Sequence, residues 1–156
     1  MRSAAAFSKD PLVLAAWRGY VAPAGIVQLP SPTAHVSRDG ASVTLDLHGS
    51  NDADGMLLMV PSGLGSITVN GAQVSGLSGG SNRSLISCAG GHCATAHVVL
   101  NFTGPVAKSV LVAEERYGLP SDAAFLLRAR PYWAAPSGMG DMSFAAADVP
   151  IPDTTP

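Results

Sequence analysis

Formal charge is scarce in this chain: Asp, Glu, Lys and Arg make up 13% of it, about half the usual share. Long surface helices draw on Glu, Lys and Arg, so they are excluded as the main building element. The net charge is −2, which gives no electrostatic case for binding nucleic acid or an anionic membrane. Between Gly55 and Ala107 the only formal charge is Arg83. Such a stretch is either strands buried in a sandwich or a surface that docks on another domain. Cysteine is limited to two residues and aromatics to 6% of the chain. No apolar run approaches the ~18 residues that a membrane helix needs.

Apolar residues, glycine and proline are plentiful. Of 156 residues, 47% are hydrophobic, 17 are Gly and 12 are Pro. Many short strands joined by turns produce that profile, and the length suits one domain with its own core. The opening Met1–Phe7 looks briefly like a signal peptide, but Lys9 and Asp10 interrupt it before an apolar stretch forms. Set against the disulfide expected below, the rejected signal peptide leads to the expectation that the chain is a piece of a longer exported or membrane-anchored protein.

Cys88 and Cys93 bracket the tetrapeptide Ala-Gly-Gly-His, the length of a hairpin loop. Cysteines flanking such a loop are expected opposite each other on adjacent strands, at a separation a disulfide accepts. That points to an oxidising, extracytoplasmic compartment. The rival is a zinc site built from Cys88, Cys93 and His92 or His97, but zinc calls for four ligands and only one doublet is present. A redox role lacks its Cys-x-x-Cys spacing.

The strand pattern is clearest after the turn at Arg38–Gly40. Val43, Leu45 and Leu47 alternate with Ser42, Thr44, Asp46 and His48, the period of a half-buried strand. Met56–Val60 is a continuous apolar run, read as a central strand ended by Pro61. Asn70-Gly71 predicts a type I′ hairpin that pairs Val69 with Ala72 and Ile67 with Val74. Leu85–Cys88 and His97–Phe102 are expected as the arms of the cysteine hairpin, and Ser109–Ala113 as a buried strand. Pro120–Pro131 is the one helix candidate, capped by Ser121 or Asp122 and stopped by Pro131. A last strand is expected near Met142–Ile151. The fold predicted is an all-β antiparallel sandwich, jelly-roll or immunoglobulin-like, with seven to nine strands and one short helix. Residues 1–30 form an N-terminal extension packing on it, 31–152 the sandwich, and 153–156 a disordered tail.

Chemistry-bearing motifs are weak. Gly76-Leu-Ser78-Gly-Gly80 spells a nucleophile-elbow string, but no helix pattern follows it. Ser50–Gly55 resembles the front of a calcium loop whose twelfth position is Pro61 instead of glutamate. Glu114 and Glu115 are adjacent, so on a strand they face opposite ways and cannot act as a dyad; a solvated strand end is expected. His35, His48, His92 and His97 show no metal-binding spacing, and each is read as exposed. Asn82 and Asn101 head glycosylation sequons. Tyr132-Trp133, between Pro131 and Pro136, is either an interaction surface or a lid folded onto the core; Tyr117 joins the candidate surface.

The C-terminal third carries a resemblance. Leu111-Val-Ala-Glu-Glu-Arg-Tyr-Gly-Leu-Pro120, then Leu127-Arg-Ala-Arg-Pro131, then Gly140-Asp-Met-Ser-Phe144 resembles the C-terminal domains of membrane-bound, aminopeptidase-type di-zinc peptidases of clan MH. In that pattern a Gly-Leu-Pro precedes a short helix, an Arg-Pro, and a Gly-Asp plus hydroxyl residue opening the last strand. The preceding cysteine pair looks like a feature of bacterial members. The resemblance covers roughly residues 35–152. It implies a β-sandwich that follows membrane helices on the extracytoplasmic side. It also implies two zinc ions held by a His, Asp, Glu, Asp, His set in a separate catalytic domain. No residue here matches that set, so no catalytic residue, metal ligand or cofactor is expected in this chain. The expected role is a non-catalytic accessory domain of a zinc-dependent membrane peptidase, serving docking, substrate access or dimerisation. Its partners would be the parent's catalytic domain or a second copy, with the membrane reached only through the parent. The alternative is an independent secreted module that binds a ligand or carbohydrate.

Overall fold

The structure is a computed structural model that describes residues 8–11, 18–21, 29–75, 83–129, 132 and 141–153. Its strands are β1 (Ser8–Pro11), β2 (Arg18–Val21), β3 (Thr33–Asp39), β4 (Ser42–His48), β5 (Gly55–Pro61), β6 (Leu64–Val69), β7 (Ala72–Gln73), β8 (Arg83–Ala89), β9 (Thr95–Phe102) and β10 (Ser109–Tyr117). One short helix, α1 (Ala124–Ala129), precedes β11 (Met142–Pro150). All pairings are antiparallel. A four-stranded sheet has the order β11-β10-β5-β8, a five-stranded sheet the order β3-β4-β9-β6-β7, and β1 pairs with β2 in a separate ribbon. This is the all-β sandwich that the alternating pattern predicts.

The alternation decides which face is inside. On β4, Val43, Leu45 and Leu47 are buried, and their cross-strand partners on β9 are Leu100, Val98 and Ala96. The facing sheet supplies Met56, Leu58 and Val60 from β5 and Val110 and Val112 from β10. Each such side chain contributes roughly 1.5–3 kcal/mol when fully removed from water. The core therefore lies between two inner faces, as a sandwich requires. β5 sits between β10 and β8, with Met56, Leu58 and Val60 facing the core and Leu57 buried on the opposite face. Asn70 and Gly71 have φ of 50° and 82°, both positive, as a type I′ turn demands. Val69 pairs with Ala72, and the Val74 N–H donates to Ile67 O at 2.9 Å.

Two local expectations are corrected. First, β8 and β9 are not hairpin partners. β8 pairs with β5 in one sheet, whereas β9 lies between β4 and β6 in the other. The segment between them is a 3-10 turn, Gly91–Ala94, that carries the chain from sheet to sheet. Both strands have one apolar face, and these faces meet across the core instead of lying side by side. Second, β10 runs on to Tyr117, so Glu114 is no solvated strand end; it is completely buried. Ser121 and Asp122, the expected helix caps, precede α1. They begin a 3-10 turn, Ser121–Ala123, whose N-cap is Pro120 with no side-chain capping bond. Trp17, Trp133 and the Gly76–Gly80 string lie outside the described residues.

Candidate functional site

The two cysteines are joined. Cys88 ends up on β8 and Cys93 in the 3-10 turn, with Cα atoms 5.6 Å apart, a distance typical of disulfides. The bond thus closes an arch between the sheets. Gly90 N–H donates to Asp54 O at 2.6 Å and Gly49 N–H to Ala94 O at 2.7 Å, which ties the arch to the β4–β5 connection. With both sulfurs bonded, no thiolate is left to ligate zinc. The disulfide and the β-fold fit an extracytoplasmic location.

A buried polar clamp lies beside the arch. Glu114 and Arg116 are two residues apart on β10, so both point between the sheets, where they form an ion pair. The Glu114 side chain is 0% exposed and that of Arg116 is 11% exposed. Ser50 completes the clamp. Its N–H donates to Glu114 Oε2 at 2.8 Å and its hydroxyl to Oε1 at 2.9 Å. Arg116 Nη2 donates to Ser50 Oγ at 2.8 Å and to Pro30 O at 3.2 Å. The buried carboxylate has its lone pairs answered, which is the condition for burying it at all. This clamp pins the β4–β5 connection and the segment before β3 onto β10. Glu115 points the other way. Its carboxyl is pushed above the ordinary glutamate range, first by burial and then by the negative charge of Asp54. Asp54 in turn holds β10: its Oδ2 accepts from Tyr117 N–H at 2.7 Å, and its N–H donates to Glu115 O at 2.8 Å.

The two outer faces differ in chemistry. On the four-stranded sheet the register places Leu85, Met59 and Leu111 in one cross-strand row, with Leu57 and Ala113 in the next and Phe144 beyond. Leu57 and Ala113, on the central strands, are nearly inaccessible. Leu85 and Phe144, on the edge strands, remain 49% and 40% exposed. Tyr117 lies on the same face and is 57% exposed, and Tyr132 is completely exposed. The sequence-derived candidates Tyr117 and Tyr132 are therefore both accessible.

The outer face of the five-stranded sheet is polar. Here the register brings together residues that are far apart in sequence. His35 on β3 opposes Asp46 on β4, and Asp46 opposes His97 on β9. His48 is two residues along β4 from Asp46, hence on the same face. These four residues, with Asn70 and Thr95, line an open depression of about 520 Å³. His97 Nδ1 lies 2.7 Å from Asp46 Oδ1. A proton on Nδ1 bonds to that carboxylate and leaves the lone pair on Nε2. Asn70 holds the backbone of His97 from both sides: its Oδ1 accepts from His97 N–H at 2.8 Å, and its own N–H donates to His97 O at 2.8 Å. Sequence spacing missed this cluster because its members are adjacent only across strands. The usable signal was Asp46-x-His48 on one strand face.

No protein-family model, curated protein or solved structure matches this chain.

Proposed function

We propose that this chain is a non-catalytic accessory β-sandwich domain of a membrane-anchored, zinc-dependent peptidase, held on the extracytoplasmic side and docking through the outer face of its four-stranded sheet. The observation that carries the docking role is the contrast between the outer faces. One is polar, and the other presents Leu85, Phe144 and Tyr117 to solvent. Large apolar groups left exposed on one face of a sandwich are what a protein contact covers. The disulfide arch supports the compartment, and the Gly-Leu-Pro, Arg-Pro and Gly-Asp-x-Ser pattern supports the peptidase context.

The first test is to read the coding frame upstream of Met1. The expected result is a frame that continues through several long apolar segments and zinc-ligand motifs. A signal peptide directly before this domain would overturn the reading. A second test substitutes Leu85→Glu with Phe144→Glu in the parent protein. Assembly or peptidase activity is expected to fall while the domain itself stays folded, and unchanged assembly and activity would remove the docking face. The polar depression favours a second reading, an independent module that binds a small polar ligand.

A further inference from the structure

We propose that the chain forms a two-fold symmetric dimer through the free edge of β8, joining two four-stranded sheets into one. The proposal concerns the edge of that sheet rather than its outer face, and it does not rest on the peptidase reading.

β8 pairs with β5 on one side, and among the described residues no strand pairs with its other side. Two observations set the phase of its hydrogen bonds. Pro61, opposite Arg83, has no N–H to donate, so that pair is of the non-hydrogen-bonded kind. Gly90 N–H does donate to Asp54 O, which gives the same phase. Alternation then turns the N–H and C=O groups of Ile86 and Cys88 toward β5, and those of Arg83, Leu85, Ser87 and Ala89 outward.

The other sheet edges carry devices that discourage pairing, and β8 does not. β11 ends in Pro150 and carries the charge of Asp148. β3 carries Arg38 and Asp39, and Arg38 Nη1 donates to Pro152 O at 3.4 Å. β7 is two residues long. β8 spans seven residues, and its one formal charge, Arg83, stands at its end.

A second copy is the occupant that fits this edge. Antiparallel pairing about a two-fold axis at Ile86 sets Leu85 opposite Ser87 of the second copy, and Arg83 opposite Ala89 of the second copy. Every outward N–H and C=O then meets its complement. The two Arg83 positions fall about 20 Å apart, beyond the screening length of about 10 Å. On the inner face, Ile86 meets Ile86 of the second copy directly. Ile86 is partly buried and borders an apolar cavity of about 30 Å³ that Leu47, Met56, Val69 and Val98 also line; the second isoleucine extends that apolar row. On the outer face, Leu85, 49% exposed, becomes the diagonal neighbour of Leu85 of the second copy. Moving the axis to Leu85 or Ser87 would instead set Ile86 against Ser84 or Cys88 and leave strand ends unpaired.

The test is analytical ultracentrifugation of the chain over a range of concentrations, and a monomer–dimer equilibrium is expected. Ser87→Pro removes an outward N–H and no bond to β5. By symmetry two hydrogen bonds are lost, so the dimer should weaken by at least about tenfold. Ser87→Thr should leave it unchanged, and so should Phe144→Glu, on the outer face of the opposite edge strand. Circular dichroism checks that each variant folds. Hydrogen exchange of the unmodified chain gives a readout that needs no variant. The Leu85 and Ser87 amides should slow as concentration rises, whereas those of Ile86 and Cys88 are protected in monomer and dimer alike. A monomer at every concentration up to about 1 mM overturns the proposal. So does slow exchange at Leu85 and Ser87 that does not depend on concentration, which would mean that another segment of the same chain covers the edge. A dimer that survives Ser87→Pro and is lost in Phe144→Glu also overturns it, and assigns the contact to the outer face.

Discussion

Removing the Glu114 carboxylate tests the architecture most directly. Glu114 is 0% exposed and, among the described residues, is the only anion paired with the Arg116 guanidinium. Glu114→Ala leaves that cation between the sheets with only Ser50 Oγ and Pro30 O as neutral acceptors. Arg116 Nη1 is already buried without a hydrogen-bond partner among the described residues. Breaking a buried pair on one side costs about 3–5 kcal/mol. In a chain of 156 residues, that corresponds to a fall in melting temperature of about 10–15 °C. Replacing both partners, Glu114→Leu with Arg116→Met, removes the desolvation cost along with the attraction. This double variant is expected within about 1 kcal/mol of the wild type or more stable. Urea unfolding of the wild type, Glu114→Leu, Arg116→Met and the double variant, with the disulfide intact, closes the cycle. If Glu114→Ala loses less than about 1 kcal/mol, the clamp does not hold the sheets. If the double variant is as unstable as the single one, the loss is one of packing, and the electrostatic reasoning fails.

The other predictions concern the elements around the clamp. Reduction of the Cys88–Cys93 bond, or Cys88→Ser with Cys93→Ser, should cost about 2 kcal/mol because the closed loop is short. Hydrogen exchange should then accelerate at the Gly49 and Gly90 amides that tie down the arch; unchanged exchange would mean that the arch holds without its bond. Gly55→Ala would place a Cβ 2.8 Å from the Cys88 carbonyl oxygen, a backbone atom with little freedom to retreat. A loss of about 1–3 kcal/mol is expected, and a neutral result by urea unfolding would show that the β5–β8 approach is looser than drawn. The raised carboxyl of Glu115 makes the folded state hold its proton more tightly than the unfolded chain does. Its contribution is therefore full below the ordinary glutamate range and is lost as pH rises through the raised folded value. Glu115→Gln should stabilise the domain at neutral pH and flatten that decline. A variant less stable than the wild type at pH 7 would refute the sign.

The strands were legible because their cause is local. Period-two alternation in Ser42–His48 reflects a pleat with one wet and one dry face, and Asn70-Gly71 carries its own turn chemistry. The β6–β7 register followed from those two facts together. The disulfide was expected from a hairpin reading of the cysteine spacing, and the bond is present although the hairpin is not. Its setting was not legible. Whether β8 and β9 lie side by side or face each other depends on competing partners, β5 for one and β4 for the other, and neither is encoded near the cysteines.

Glu114 shows the same division most sharply. Sequence established that it and Glu115 face opposite ways, because that is a property of any strand. Which of the two points inward was decided by Ser50, 64 residues away, and by Arg116 beside it. The histidine face is a product of register alone: His35, Asp46 and His97 lie on three strands, and a slip of one residue would scatter them over both faces. The sequence by itself determined the class of fold, the hairpin turn and the covalent staple, since backbone preference and side-chain alternation act over a few residues. Only the tertiary structure decided which strands meet, which charge is buried and which polar groups share a surface, because those depend on pairings between segments tens of residues apart.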